Sequence, residues 1–218
     1  MPQGDQPLTR EAIAAKALEI ASTEGLEGLS ARRLAGAFGK TAMALYRHFG
    51  SMEEIQHAMV ALAYREVDAE PVPGELWEDT LRRTMGSIRR VELKYAKAHL
   101  FQIEGAAWDA GLLDHTDRIQ RLHREQGIPE HILTPLWRIV DTYLTGFIDN
   151  EIAELEHAPE PPVDGAPDWL QTAEAAYTDA SFEQGIGIIA AGIRALAAPD
   201  PCEWRTPNAD KDLKVSVK

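Results

Sequence analysis

Cysteine is all but absent from this chain: Cys202 stands alone in 218 residues. An intrachain disulfide and a multi-cysteine metal cluster are therefore excluded, and a reducing compartment fits. Long apolar runs are missing too. The longest, Ile186 to Ala198, is interrupted by Arg194 and is too short to span a bilayer, and the opening MPQGDQPLTR has no apolar core of a signal peptide. The expectation is a soluble, cytoplasmic protein with no membrane partner. Catalytic signatures are lacking as well: no G-x-G-x-x-G, P-loop, G-x-S-x-G or H-E-x-x-H occurs, and the seven histidines are scattered. This pattern points away from an enzyme and implies no cofactor and no metal. Asp114, His115 and Asp117 come nearest to a ligand cluster, but only the two aspartates share a helical face, as on an ordinary polar surface.

The most telling absence is local. The formal charge of the chain is −13, yet positions 28 to 52 contain no Asp or Glu, while Arg32, Arg33, Lys40 and Arg47 all fall there. Residues 1–66 carry 7 Lys and Arg against 8 Asp and Glu, and residues 67–218 carry 15 against 27. An acidic body repels nucleic acid, so any DNA contact must be confined to this one basic face. A general nucleic-acid coating role is disfavoured.

What occupies the acid-free stretch is SARRLAGAFGKTAMALYRHF, Ser30 to Phe49. Ser30 can cap a helix with Leu34, Ala35 and Phe38 facing inward, and Thr41 can cap a second with Leu45 and Phe49 inward. Gly39 between them suits the left-handed backbone that ends a helix, and Ala35 is small enough for a close crossing. This is the layout of a helix-turn-helix. Thr9 is a plausible cap for a supporting helix to about Glu24, with Ile13, Ala17, Ile20 and Ala21 at helical spacing. Ser51 starts a connecting helix over 51–69, with Ile55, Met59 and Leu62 as its stripe.

Together with Leu8 to Leu29 and SMEEI after it, the stretch EGLEGLSARRLAGAFGKTAMALYRHF resembles the DNA-binding domain of the tetracycline-repressor (TetR) family of bacterial transcription regulators. The resemblance covers roughly the first 65 residues. It implies a dimeric, all-helical repressor that binds a double-stranded operator and releases it when a small molecule binds. Matched by position, Arg32 would reach a base edge, where guanine offers two acceptors to its forked donors. Ala42 and Ala44 would meet thymine methyl groups, and Thr41 with the helix N-terminus would address a phosphate. Lys40, Tyr46 and His48 would contact phosphates, Arg47 base or backbone, and Met43 either packs inward or brushes a base. One departure stands out: many members place a lysine at the start of the next helix, and here that position is Met52.

Beyond the break EPVPG at 70–74 the pattern stays helical, so the fold class is all-α: an N-terminal helix-turn-helix domain over 1–66 and a larger helical ligand-binding and dimerisation domain over 70–198. Helices are expected over 76–99, 112–126, 130–156 and 168–197, with a Pro-rich loop HAPEPPVDGAP between the last two and a disordered tail over 199–218. His99, Phe101, Glu104, Trp108, Trp137 and Tyr143 combine aromatic rings with a few polar atoms, as an effector cavity requires, although core aromatics with incidental neighbours would read the same way. Tyr143, Phe147, Ile186, Ile189 and Ile193 mark apolar faces of the two long helices, buried either within the domain or against a second subunit. The segment FEQGIGIIAAGIRAL resembles the last body helix of many TetR-family proteins, which implies a place in a homodimer interface. The alternative is an all-α ligand-binding or protein-partner module whose helix-turn-helix does not read DNA.

Overall fold

The structure is a computed structural model that describes residues 8–103, 105, 110–156 and 177–197. The loop and tail expected at 157–167 and 199–218, with Cys202, and the site candidates Glu104 and Trp108, lie outside the described residues. Among the described residues there is no strand. The α-helices are α1 (Arg10–Glu24), α2 (Ala31–Ala37), α3 (Ala42–Leu45), α4 (Met52–Tyr64), α5 (Trp77–Lys94), α6 (Ala110–Glu125), α7 (Glu130–Glu156) and α8 (Asp179–Ala197).

Local chemistry sets the starts of these helices. The hydroxyls of Thr9, Ser30 and Ser51 accept the backbone N–H of Ala12, Arg33 and Glu54 at 3.1, 3.2 and 3.1 Å, satisfying donors that a helix start leaves orphaned. At α4 the Glu54 carboxylate also reaches back, accepting the N–H of Gly50, the residue before the cap, at 2.9 Å. Gly39 ends α2 at φ +64, the left-handed region where glycine carries no Cβ penalty.

Several expected boundaries move: the connecting helix expected over 51–69 ends at Tyr64, and of the last helix, expected from 168, residues 177–178 are not helical and Asp179–Ala197 are. The helix expected to reach His99 stops at Lys94 and gives way to short 3-10 turns at Ala96–Ala98 and Leu100–Gln102, hinged on His99 at φ 43. At that point Glu66 accepts from Lys94 Nζ at 2.6 Å and from the Tyr95 hydroxyl. The sixth helix begins at Ala110, just before the expected 112.

One hydrophobic core runs through the whole chain, from Ile13 in α1 through Ile55, Met59 and Tyr64 in α4 to Leu81, Ile148 and Ile186 in the body. α4 packs on α1 on one side and on α5 and α6 on the other. The break at 70–74 is therefore a turn in the chain, while α4 belongs to both parts of the core. In the body, Arg89 of α5 ties α7 to α8. Its side chain forks onto Glu151, bonds Asp179 at 2.7 Å, and lies 4.9 Å from the centre of the Phe182 ring.

Candidate functional site

Two sites emerge, a basic reading head at α2–α3 and a cavity in the body, and α4 lies between them. In the head, Leu45 and Phe49 are buried against Leu34 and Ala35, which anchors the short α3 and turns its other face outward. Lys40, Thr41, Tyr46 and Arg47 are exposed on that face, and Ala42, Ala44 and His48 are half-buried. Met43 is 71% exposed, which settles its direction as outward. Thr41 occupies the cap position of α3, but its hydroxyl makes no capping bond. Met52 packs against the core, so the departure from the family pattern leaves no cation at that point.

The cations of the head are not equivalent. Arg33 forks onto Glu24, which the helix before it presents, and each holds the other charged: the Arg33 pKa is raised and the Glu24 pKa lowered chiefly by their hydrogen bonds. Arg10 donates to the His48 carbonyl and lies 3.9 Å from the centre of the Phe49 ring, bracing the end of the reading segment. Arg32 and Arg47 are exposed and make no ion pair with a described residue. Sequence reasoning could not see the loss of Arg33, because its partner lies nine positions away across a turn.

The cavity measures about 490 Å³ and is walled by α4, α5, α6, α7 and the turn around Phe101, within the roughly 300–1,000 Å³ typical of small-molecule sites. Phe101 and Trp137 line it as expected. His99 and Tyr143 do not. His99 lies outside the wall with Nε2 3.7 Å from Glu156, and Tyr143 turns toward α8, where its hydroxyl donates to the Phe182 carbonyl at 3.0 Å. The sequence reading missed most of the polar lining: Tyr64, Thr116, Gln120, His123 and Asp141. Its signal was present in Thr116, Gln120 and His123, which recur at one-turn spacing on α6.

Burial shapes the chemistry of this wall. His123 is 5% exposed with Nδ1 in no hydrogen bond, and burial pushes its pKa down to about 4. His115, edge-on to the Tyr64 ring at 5.7 Å, is lowered for the same reason, so both imidazoles are neutral at pH 7. Behind the wall, Glu92 is 1% exposed and its Oε1 accepts the Tyr64 hydroxyl at 2.6 Å. Burial pushes Glu92 up to about 7, against the opposing pull of that hydrogen bond. The pair bolts α4 to α5 at the cavity edge.

The dimer-face expectation needs correction. Phe147, Ile186 and Ile193 are buried within their own protomer, in the packing of α7 and α8 on α5; Tyr143 and Ile189 are half-buried. The outward stripe of α8 is instead Gly187, Ile188, Ala191, Gly192, Ala195 and Leu196, with Ile188 74% exposed.

A helix-turn-helix braced by one helix is joined through another to a helical body with an apolar chamber, an all-α two-part architecture. Residues 13–59 match the family described as bacterial regulatory proteins, tetR family. The chain is 27% identical over 159 residues to the HTH-type transcriptional repressor DrrR1 of Streptomyces coeruleorubidus, covering 71% of this chain and 58% of that one. It is 35% identical over 98 residues to the tetracycline repressor protein class D of Escherichia coli, covering 43% of this chain and 45% of the repressor. The chain thus spans about half the length of these relatives. In structure it is similar to the TetR family protein ActR of Streptomyces coelicolor in complex with (S)-DNPA. The TM-score is 0.72 and the identity 26%, covering 88% of this chain and all of that one. These likenesses support a TetR-family relationship, carried most directly by residues 13–59.

Proposed function

We propose that the protein is a ligand-responsive transcriptional repressor that binds a pseudo-palindromic double-stranded operator as a homodimer and releases it when a small molecule fills the body cavity. The observation that carries this reading is the double membership of α4: Val60 and Tyr64 line the cavity, while the same helix packs on α1, which supports the reading head. A ligand that displaces this wall changes where α3 points. Release requires that the ligand bind the non-operator arrangement more tightly, since equal affinity for both shifts nothing. That ActR is solved with a small molecule bound supports a ligand-binding role for the body.

Within the head, Arg32 supplies the base contact, Ala42, Ala44 and Met43 supply apolar contact, and Lys40, Thr41, Tyr46 and His48 face phosphates, with Arg47 beside them. Few polar groups stand on α3, so sequence-dependent DNA shape contributes to the preference. The second copy docks on the uncharged outward stripe of α8 and on Ile139 of α7, and two heads so joined meet two half-sites.

Selection of bound duplexes from a random-sequence pool tests this, at near-physiological salt because phosphate affinity depends steeply on it. An inverted repeat is expected with the wild type and none with Arg32→Ala/Arg47→Ala. Arg32→Ala alone costs about 1–3 kcal/mol and relaxes one base per half-site. An equal loss across all operator variants would make it a backbone contact. Enrichment of no sequence favours the protein-partner alternative.

A further inference from the structure

The cavity has a charge preference written into its lining. Among the described residues no Lys or Arg lines it, and both histidines in the wall are neutral at pH 7. Among the described residues the acidic lining residue is Asp141, which is exposed and in no hydrogen bond or ion pair with a described residue. Desolvation holds its carboxyl above the usual range, and no cation offsets that effect. Arg118, the nearest guanidinium felt by His115, is already tied to Glu70 at 3.1 Å and Asp114 at 3.2 Å. Trp137 stands one helical turn before Asp141 and lines the same cavity, with Tyr64 and Phe101 supplying further aromatic walls.

An anionic ligand entering here would meet a carboxylate and no counter-ion, and would leave its own charge unpaired in an apolar wall. An ammonium would meet a carboxylate and a ring face within one turn of helix, the pairing that favours organic cations. The strongly acidic body adds an attractive field for cations at longer range. Building on the effector-cavity reading above, we propose that the ligand is an amine-bearing aromatic molecule whose rings lie among Tyr64, Phe101 and Trp137 and whose ammonium group pairs with the Asp141 carboxylate.

Three probes that share one ring system test this: anthracenylmethylamine, anthracenylmethanol and anthracenecarboxylate, titrated by fluorescence against the full chain. The amine is expected to bind about 10-fold or more tighter than the alcohol, the scale of a charge-assisted contact, with the carboxylate weakest. Asp141→Asn should erase the preference of amine over alcohol, with thermal melting confirming that the variant folds. An alcohol or carboxylate that binds as tightly as the amine, or a preference that survives Asp141→Asn, overturns the inference while leaving the cavity in place. Leu136→Trp, which fills the chamber, should abolish binding of every probe, and Val140→Phe from the same wall replaces it should that variant not fold. Probe binding that survives in the filled protein, or no probe binding to the wild type, overturns the cavity reading itself.

Discussion

Glu92 offers the sharpest thermodynamic test of the structure. It is buried beside Tyr64, and its pKa is pushed from the ordinary 4.5 to about 7. A carboxyl whose folded pKa lies above its unfolded value binds more protons in the native state, so its contribution to stability is complete below about pH 4.5. It falls as pH rises toward 7 and is flat beyond. Two and a half pKa units correspond to about 3 kcal/mol. Glu92→Gln keeps an acceptor for the Tyr64 hydroxyl and removes the titration. Urea denaturation of both proteins at one fixed concentration would give the difference at about pH 5 and about pH 8. The glutamine variant should gain on the wild type by about 2.5 kcal/mol between those two conditions, since at pH 5 the contribution is already partly lost. Comparing the two proteins cancels the other titrating groups. A difference that does not change with pH, or that changes in the wild type's favour, refutes the burial argument for this residue.

His123 predicts the opposite slope. Its pKa falls from 6.5 to about 4, so the stability it contributes is present above pH 6.5 and lost as pH falls toward 4. The loss reaches up to about 3 kcal/mol, and a comparison with His123→Gln over that acid window checks it. Gly185→Ala would place a Cβ 2.1 Å from the Tyr143 hydroxyl oxygen and 2.4 Å from its ring carbon. An overpacking cost of about 1–3 kcal/mol is expected, recovered in part by Tyr143→Leu, and a neutral single variant in thermal melting would contradict the helix packing. Arg89→Met should cost about 3–5 kcal/mol because Glu151 is left buried and unpaired; adding Glu151→Met should recover much of that, and additive losses would show that the pair is not coupled.

The reading head was legible because its signals are local: a capping serine, a glycine at the turn, inward leucines, and an acid-free window. The boundaries of α7 at Glu130 and Glu156 were legible for the same reason. What escaped depends on distant partners or on helical phase. At the end of α5, Lys94 bonds Glu66, 28 positions away. Tyr143 was placed in the cavity beside Trp137, but six residues turn it roughly 240° around the helix at ~3.6 residues per turn. Asp141 and Leu144, four and seven residues on, share the Trp137 face and the cavity. On α8 the bulky Phe182, Ile186 and Ile193 advertise a contact face but pack within the chain, leaving outside a stripe in which Ile188 and Leu196 stand among glycines and alanines.

The seam of this molecule does not fall where the chain bends. Two prolines and a glycine at 70–74 invite an engineer to cut there and graft a foreign body onto the reading head. That graft would keep α4 on the head with Tyr64 and Val60 facing a foreign body, and would leave the Tyr64 hydroxyl without Glu92. Cutting before Ser51 strips α1 of the helix it packs on. A hybrid with altered sensing must therefore bring over Tyr64 and Glu92 as a matched set. The same linkage keeps head and body from diverging independently, since any change in one has to remain tolerable to a helix that serves both.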